Sequence, residues 1–399
     1  MRIATSYSTA ADEQTAVTEL TDAIEGASPD LLIAYASVGY SAEQILPLLQ
    51  NRYPDTPMLG GTSCQGVMSA QGFHSRAGSG VGMFAVFDPN GAYGAAAEPS
   101  GDDARAAAKA ATERALEVAG RAGEMPTLIW LSAAPGREEA ILAGIADVVG
   151  PNVPVAGGST ADNDVSGKWH QFCDWHSFTD AVSVAVLFPS TSVAWSFHSG
   201  YQPTEHKGRV TRAENRTIRE IDGQPAADVY EAWTAGALQG HTREPCSVLS
   251  GTSLFPLGRP IGANEGVDYF RLSHPEAVTE SGGLRLFTDV AEGDEIVLMT
   301  GDRESLLTRA GRVAVSAARS VDMQTDDIAG ALVIYCAGCM LTVQDQMHRV
   351  PAEISAALGS APFLGAFTFG EQGCISEGRN YHGNLMISVV LFGKVQHEW

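Results

Sequence analysis

Three short stretches of sequence that end in small residues decide the fold. They read Pro57-Met58-Leu59-Gly60-Gly61-Thr62, then Pro154-Val155-Ala156-Gly157-Gly158-Ser159-Thr160, then Pro362-Phe363-Leu364-Gly365-Ala366-Phe367-Thr368. Each is apolar before the small residues, as expected for a buried strand that ends in a tight turn.

Each stretch lies inside a longer pattern that occurs three times. An apolar run comes first, a helix-like segment leads to the glycine-marked strand end, and one more apolar run follows. An amphipathic helix precedes each copy. The first runs are Leu31–Ser37, Leu128–Ser132 and Leu332–Cys336, and the last runs are Val81–Phe87, Val182–Phe188 and Leu385–Phe392.

This pattern indicates an α/β protein. Near-continuous apolar runs joined by helices are typical of parallel strands with helices on both faces. No helix separates the glycine-marked strand from the last run, so the last strand is predicted to be antiparallel. The sequence therefore predicts mixed β-sheets from three related strand-helix-strand-helix-strand-strand units, two in an N-terminal domain and one in a C-terminal domain.

The chain has 399 residues, which favours two domains over one. We predict domains 1–213 and 214–399, because the alternation of strands and helices gives way there to a predicted β-hairpin around Asn215. A second antiparallel pair is predicted further on, with Gly283–Thr288 pairing with Asp294–Met299 through a turn at Glu292-Gly293.

Composition narrows the classes of partner. The net charge of −22 argues against nucleic acid and anionic membranes as partners. No apolar run is long enough to span a membrane, and the N-terminus lacks a signal-peptide core. Six cysteines spread over the chain fit a reducing compartment. The protein is predicted to be cytoplasmic.

Ligands of open α/β sheets bind beyond the carboxyl ends of the strands. Small hydroxyl groups, one acid and one amide follow these strand ends here, and they can orient a small zwitterion where glycine lets the backbone approach it. Turn formation and capping by the same residues is the alternative. The residues at these ends include Thr62, Ser63, Cys64, Ser159, Thr160, Asp162, Cys336, Phe369, Glu371 and Gln372.

The chain resembles the FIST family, which carries an N-terminal and a C-terminal FIST domain. The resemblance rests on Leu59–Met68, on Val210-Thr211 with Ile221–Ala226 and Tyr230, on Val290–Asp294, on Cys336 with Glu353, and on Leu364–Glu371. The family's Gly-Glu pair is matched by Gly370-Glu371, and its His-Asn-x-Thr element loosely by His382-Gly383-Asn384-Leu385.

The resemblance implies a sensory or signal-transduction protein that binds a small ligand such as an amino acid. The chain shows no output domain, so the signal is expected to pass to a separate signalling protein. The resemblance adds His382 and Asn384 to the candidate ligand-binding residues. Some relatives resemble haem-based nitric-oxide sensors, so haem is the alternative cofactor, and otherwise none is expected.

The cysteines and histidines of the chain allow other chemistry. Cys336-Ala337-Gly338-Cys339 suits a redox dithiol or half a metal site, but buried ordinary cysteines explain it too. No covalent haem motif is present, so the candidate haem ligands would be His170, His176, His198, His348 and His382. No catalytic motif is recognised, and the prediction is a protein that is not an enzyme.

Overall fold

The apolar runs form buried strands that pack against helices, and the predicted α/β class with mixed sheets is confirmed. The computed structural model describes residues 1–24, 26, 28–264, 267–375 and 378–394. Its helices are α1 (Glu13–Asp22), α2 (Ala42–Arg52), α3 (Ala104–Val118), α4 (Glu138–Val149), α5 (Ala226–Trp233), α6 (Leu249–Thr252), α7 (Arg303–Arg319), α8 (Ala337–Thr342) and α9 (Arg349–Leu358).

The strands alternate with these helices in the first and last parts of the chain and follow one another in the middle. They are β1 (Arg2–Ser8), β2 (Leu31–Ala36), β3 (Met58–Thr62), β4 (Val67–Ser69), β5 (Gly72–His74), β6 (Val81–Phe87), β7 (Ala92–Pro99), β8 (Leu128–Ala133), β9 (Val155–Ser159), β10 (Gln171–Cys173), β11 (His176–Phe178), β12 (Ala181–Phe188), β13 (Val193–His198), β14 (Gln202–Glu214), β15 (Thr217–Ile221), β16 (Gln224–Pro225), β17 (Cys246–Ser247), β18 (Leu257–Asn264), β19 (Val267–Ser273), β20 (Pro275–Val278), β21 (Leu284–Leu286), β22 (Glu295–Thr300), β23 (Ile328–Cys336), β24 (Phe363–Thr368), β25 (Gly370–Cys374), β26 (Asn380–Gly383) and β27 (Ile387–Gly393).

Three sheets within the described residues share one strand order. The first sheet runs β1-β6-β2-β3-β10-β11, the second β7-β12-β8-β9-β25-β26, and the third β13-β27-β23-β24-β4-β5. In each, the first strand of the unit pairs in parallel with the glycine-marked strand, as β2 does with β3. The last strand is antiparallel as expected, but it lies beside the first strand of its unit and not beside the glycine-marked strand.

Each of these sheets ends in a hairpin that comes from another unit. The hairpin β10–β11 of the second unit joins the first sheet, and β25–β26 of the third unit joins the second sheet. The circle closes because β4–β5 of the first unit joins the third sheet. The units are therefore interlocked, and two of the exchanged hairpins connect the two parts of the chain on either side of residue 213.

A fourth sheet lies between the second and third units in sequence. It runs β17-β20-β21-β15-β14-β22-β18-β19, and the predicted hairpin around Asn215 is present as β14–β15. The predicted pairing of Gly283–Thr288 with Asp294–Met299 is wrong. Strand β21 pairs with β15 and β20, while β22 pairs with β14 and β18, because the β14–β15 hairpin inserts between them.

The first three sheets pack with their inner faces together and their outer faces under helices. The inner core joins Tyr35, Trp130 and Ile334 from the three units, and Trp130 Nε1 donates a hydrogen bond of 3.1 Å to Tyr35 Oη. Helices α1 and α2 cover the first sheet, α3 and α4 the second, and α7 and α9 the third. No helix in the described part of the chain is long and apolar enough to cross a membrane.

Candidate functional site

The three glycine-marked strand ends meet one another. A backbone N–H of each unit donates to a backbone carbonyl of the next, so that the three hydrogen bonds close a ring, each 3.0 Å long. Glycine is required just before this ring, because a Cβ at Gly60 would lie 1.7 Å from the Ala34 carbonyl oxygen. The donor and acceptor pairs are Ala161 to Thr62, Phe369 to Ser159, and Cys64 to Phe367.

Five of the predicted site residues belong to this ring and its immediate support. Their side chains are buried, and the four hydroxyl groups among them are hydrogen-bonded within the protein, so they hold the strand ends together. Ser63 Oγ, for example, accepts from the Phe367 N–H at 2.8 Å, and Thr160 Oγ1 accepts from Gln171 Nε2 at 2.6 Å. None of the five lines the cavity described below; they are Thr62, Ser63, Cys64, Ser159 and Thr160.

A cavity of about 440 Å³ lies at the carboxyl end of the third sheet. This volume is within the range of small-molecule sites, roughly 300 to 1,000 Å³. The predicted residues Cys336, Phe369 and Asn384 line it together. The remaining lining residues are Val165, Leu249, Ser250, Ser253, His274, Phe287, Gly338, Leu341, Thr342 and Thr368.

Sequence reasoning missed the wall that the middle of the chain supplies. Leu249, Ser250 and Ser253 come from α6 and its end, while His274 and Phe287 lie directly after strands of the fourth sheet. None of them follows an apolar parallel strand, so the rule that pointed to the other residues could not find them. Asn384 joins the two walls, because its Oδ1 accepts from the His274 N–H at 3.2 Å and its Nδ2 donates to the Phe369 carbonyl at 3.4 Å.

The lining of the cavity carries no charge. It contains no Asp, Glu, Lys or Arg among the described residues. Burial lowers the pKa of His274 to about 4, so its ring is neutral at pH 7. The polar side chains that remain carry hydroxyls, one carboxamide, one thiol and one neutral imidazole, and Phe287 and Phe369 are the aromatic residues of the lining.

Asp162 shapes the entrance of the cavity from the second unit. Its buried carboxylate accepts from the backbone N–H groups of Val165 and Lys168 at 2.5 and 2.8 Å. The loop that results places Val165 at the cavity with a φ of 58°, which is unfavourable for a β-branched residue. Val165 and Leu341, which are 45% and 41% exposed, form the apolar rim.

Glu371 lies behind the cavity wall. Its carboxylate accepts from Thr368 Oγ1 at 3.0 Å and from the Met386 N–H at 2.9 Å. Complete burial raises the pKa of this carboxyl well above its ordinary value. Glu371 therefore positions Thr368, which lines the cavity, and does not itself reach the space.

A charged network fills the carboxyl end of the second sheet. Arg216 of the fourth sheet places Nη2 at 2.7 Å from Glu138 and 2.8 Å from Glu139. Burial would raise the pKa of Glu138, but His382 and Arg216 outweigh it and lower this pKa to about 2. Glu138, Glu139 and His382 are close enough to hold a metal ion, yet the guanidinium occupies the position between the carboxylates.

The predicted residues Gln372 and His382 belong to this network. Gln372 Nε2 lies 3.1 Å from His382 Nδ1 and 3.3 Å from Ser159 Oγ. The Phe287 carbonyl accepts from Arg216 Nη1 at 2.7 Å and lies 3.3 Å from His382 Nε2. Because Phe287 also lines the cavity, this one residue connects the charged network with the cavity.

Comparison with known protein families accounts for most of the chain. The model described as the FIST N domain matches residues 30–224, and the model described as the FIST C domain matches residues 226–374. The chain belongs to the FIST family. The two matches meet near residue 225, in the fourth sheet and twelve residues beyond the boundary at 213 that we predict from sequence.

Individual relatives of this FIST protein are distant. An uncharacterized protein of Methanocaldococcus jannaschii is 28% identical over 169 residues, which are 40% of this chain and 32% of that protein. The chain thus spans about a third of the length of this relative. Among solved structures, cyanuric acid hydrolase from A. caulinodans has a TM-score of 0.30 at 11% identity, covering 57% of this chain and 84% of that one.

PurLQS from Thermotoga maritima has a TM-score of 0.23 at 12% identity, covering 77% of this chain and 73% of that one. Both TM-scores are too low to indicate an activity for the FIST protein.

Haem does not fit the cavity of this FIST protein well. The five histidines named as candidate ligands do not line it: His170, His176, His198, His348 and His382. His274 does, but its Nε2 lies 3.0 Å from Thr252 Oγ1 and its ring also hydrogen-bonds to the backbone of Leu249. The one histidine in the described part of the cavity wall therefore already has hydrogen-bond partners within the protein that axial coordination would have to replace.

Proposed function

We propose that this protein is a cytoplasmic sensor that binds a small, uncharged and largely apolar molecule in the cavity at Cys336, Phe369 and Asn384. FIST domains are associated with sensory and signal-transduction functions, and both FIST matches cover the chain nearly end to end. The observation that carries the choice of ligand is the uncharged lining of the 440 Å³ cavity.

This lining favours a neutral ligand over a free amino acid. A zwitterion brings a carboxylate and an ammonium group, and burying either without a charged or multiply hydrogen-bonded partner is costly. The cavity offers His274 only as a neutral ring, and Asn384 is already bonded to both walls. A molecule with an apolar body and one or two hydroxyl, amide or carbonyl groups suits the hydroxyls of Ser250, Ser253 and Thr342.

A ligand here would contact two parts of the molecule at once. One wall belongs to the third unit through Cys336 and Phe369, and the other comes from the middle of the chain through His274 and Phe287. A ligand shifts a conformational equilibrium only by its differential affinity for the two states. We propose that ligand binding favours one arrangement of these walls, and that a separate signalling protein recognises it.

The test is a thermal-unfolding screen of the full chain with neutral metabolites, amino acids and haem. A ligand present at 100 times its dissociation constant stabilises the folded state by about 2.7 kcal/mol, which such a screen detects. The blocking variant is Gly338→Leu, because Gly338 lies in the cavity wall and a Cβ there would meet its neighbours at ordinary contact distances of 3.6 to 3.7 Å. Glu113→Leu on the exposed face of α3 is the control for adding a leucine.

We expect neutral compounds to stabilise the native chain and Glu113→Leu, and to have no effect on Gly338→Leu. Stabilisation by a charged amino acid that persists in Gly338→Leu would place the binding site elsewhere. A Soret band that survives gel filtration would favour the haem alternative instead.

A further inference from the structure

Two cysteines lie at the inner end of the cavity. Cys336 is the last residue of β23 and lines the cavity, while Cys339 lies in α8 and is fully buried behind it. Their side chains are hydrogen-bonded to each other. The sulfur of Cys336 is therefore reachable from the cavity, and the sulfur of Cys339 is reachable only through Cys336.

A buried arginine faces the pair from α7. Arg309 is 1% exposed, and no carboxylate within the described residues forms an ion pair with it. Its Nη1 donates to the carbonyls of Ser199 and Leu385 at 2.6 and 3.0 Å, but its Nε and Nη2 have no hydrogen-bond partner. A cation removed from water in this way needs an anion nearby.

The Cys339 thiolate is the anion that the surroundings of Arg309 favour. Burial alone would raise the pKa of Cys339, but the hydrogen bond from Cys336 and the charge of Arg309 lower it to about 6. Tyr201 Oη lies 3.7 Å from Cys339 Sγ. The other charged or titratable groups around the pair are Tyr335, whose ring also faces Arg309, Glu371, which raises the pKa of Cys336, and His198 next to Arg309.

We propose that Cys336 and Cys339 form a redox-active dithiol that reduces small hydroperoxides entering the cavity and closes to a disulfide. The size and the uncharged lining of the cavity admit hydrogen peroxide or a small alkyl hydroperoxide and disfavour large charged disulfides. This activity goes beyond the proposed ligand sensing and does not depend on it, because it needs only the two sulfurs, Arg309 and access through the cavity.

The reaction balances with the hydroperoxide as the only oxidant. The proton of Cys336 moves along the existing hydrogen bond to Cys339, and the Cys336 thiolate attacks the outer oxygen of ROOH. The O–O bond breaks, leaving a sulfenic acid on Cys336 and an alkoxide that takes the proton back from Cys339 to become ROH. The Cys339 thiolate then attacks Cys336 Sγ, the S–O bond breaks, and hydroxide leaves.

Disulfide formation would also change the environment of Arg309. The guanidinium loses its anion when Cys339 becomes part of a neutral disulfide. Tyr201, which contacts Cys339, donates to the Ser253 carbonyl at 2.6 Å, and Ser253 lines the cavity. The oxidation state of the pair is thus connected to the shape of the cavity wall through Tyr201.

The experiment uses the full chain, reduced and then freed of reductant without air. Hydrogen peroxide and tert-butyl hydroperoxide are added separately, and trypsin followed by mass spectrometry reports on the peptide between Arg319 and Arg349, which holds both cysteines. We expect this peptide to lose two hydrogen atoms with either oxidant. We expect the Cys374 peptide to stay unchanged, because Cys374 is buried elsewhere and its pKa is raised to about 11.

Single variants separate the roles of the two sulfurs. Cys339→Ser lacks both the proton acceptor and the second sulfur, so it should form a Cys336 sulfenic acid more slowly than the native chain and stop there, where dimedone traps it. Cys336→Ser should consume hydroperoxide about tenfold more slowly or worse. Cys374→Ser is the matched control and should behave like the native chain. Equal rates in Cys336→Ser and Cys374→Ser, or no dimedone adduct in Cys339→Ser, would overturn the proposal.

Arg309 is a positioning residue in this scheme, and its test needs a folded variant. Arg309→Lys keeps a positive charge and should keep the reaction, whereas Arg309→Met should move the pH midpoint of the reaction upward from about 6, the pKa of Cys339 in the native chain. If Arg309→Met does not fold, the pH profile of the native chain decides alone. A profile whose midpoint lies at the ordinary thiol pKa, about 8.5, would contradict the role of Arg309.

Discussion

The second and third sheets have the same strand order, but the spaces at their carboxyl ends are occupied differently. In the second sheet, Glu138, Arg216 and His382 fill the space with charge, whereas the third sheet keeps an uncharged cavity. The middle of the chain makes the difference, because it inserts Arg216 at one sheet and surrounds the other with His274 and Phe287. The shared topology therefore gives both sheets an equivalent space at the carboxyl end, and the inserted fourth sheet decides which of the two spaces stays open.

Two buried carboxyl groups show the same contrast. Glu138 has a cationic partner, and its pKa is lowered to about 2. Glu371 accepts only neutral hydrogen bonds, and burial raises its pKa well above the ordinary value. A carboxyl group in the filled site is thus held ionised, while one beside the cavity is driven toward its protonated form.

The largest loss of stability is expected when the cation of the charged network is removed. Arg216→Met leaves Glu138, whose side chain is 3% exposed, without its cation. Removing one partner of a buried pair costs about 3 to 5 kcal/mol, so the midpoint of chemical denaturation should fall strongly. Arg105→Met is the control, because its pair with Asp147 is exposed and water screens the interaction. Equal losses in both variants would show that the network does not hold the fourth sheet.

The next largest effect concerns Glu371, and its sign depends on pH. Glu371→Gln loses an acceptor for either Thr368 or Met386, which costs about 1 to 3 kcal/mol. Because the folded pKa of Glu371 is raised, its contribution is complete below the unfolded pKa of about 4.3 and is lost as pH rises through the folded value.

The advantage of the native chain over Glu371→Gln should therefore shrink above about pH 4.3. Glu138→Gln should show the opposite slope, since the lowered pKa of Glu138 gives a contribution that is lost as pH falls toward about 2. Denaturant unfolding at a series of pH values measures both slopes, and parallel slopes would contradict the comparison.

A smaller effect is expected at the entrance of the cavity. In Asp162→Asn an amide nitrogen replaces one of the two carboxylate oxygens that accept from the backbone N–H groups of Val165 and Lys168. This nitrogen cannot accept a hydrogen bond, so one of the two N–H groups loses its acceptor. We expect a loss of about 1 to 2 kcal/mol and faster amide hydrogen exchange over residues 164–168. The exposed Asp164→Asn serves as the control. Unchanged exchange in Asp162→Asn would mean that the carboxylate does not shape the rim.

The sequence predicted the parts of this arrangement that depend on local pattern. Apolar runs and glycines located the strands around Leu31, Leu128 and Leu332, and the rule for strand ends found Cys336 and Phe369 in the cavity wall. Asn384 came from the family resemblance. The exchange of hairpins could not be read from sequence, because β4, β10 and β25 are short strands whose partners lie in other units.

The residues that fill the second site and line the third could not be predicted from the sequence either. Arg216 and Phe287 lie far in sequence from the strands that they contact, and nothing local distinguishes them from surface residues of a hairpin or a turn. The same limit explains why Gln372 and His382 were grouped with Cys336, although the hairpin β25–β26 carries them to the second sheet.

Adding one methyl group at each site tests the difference in free space directly. A Cβ at Gly338 would meet Leu385, Cys336 and His274 at ordinary contact distances of 3.6 to 3.7 Å, and the backbone there is helical. Gly338→Ala should therefore stabilise the chain by about 0.4 to 1 kcal/mol by restricting the unfolded state. A Cβ at Gly158, in the second sheet, would lie 2.5 Å from Thr368 Cγ2, so Gly158→Ala should destabilise the chain by about 1 to 3 kcal/mol. Thermal unfolding of the two variants measures the difference, and a loss of stability in Gly338→Ala would mean that the third site is as tightly filled as the second.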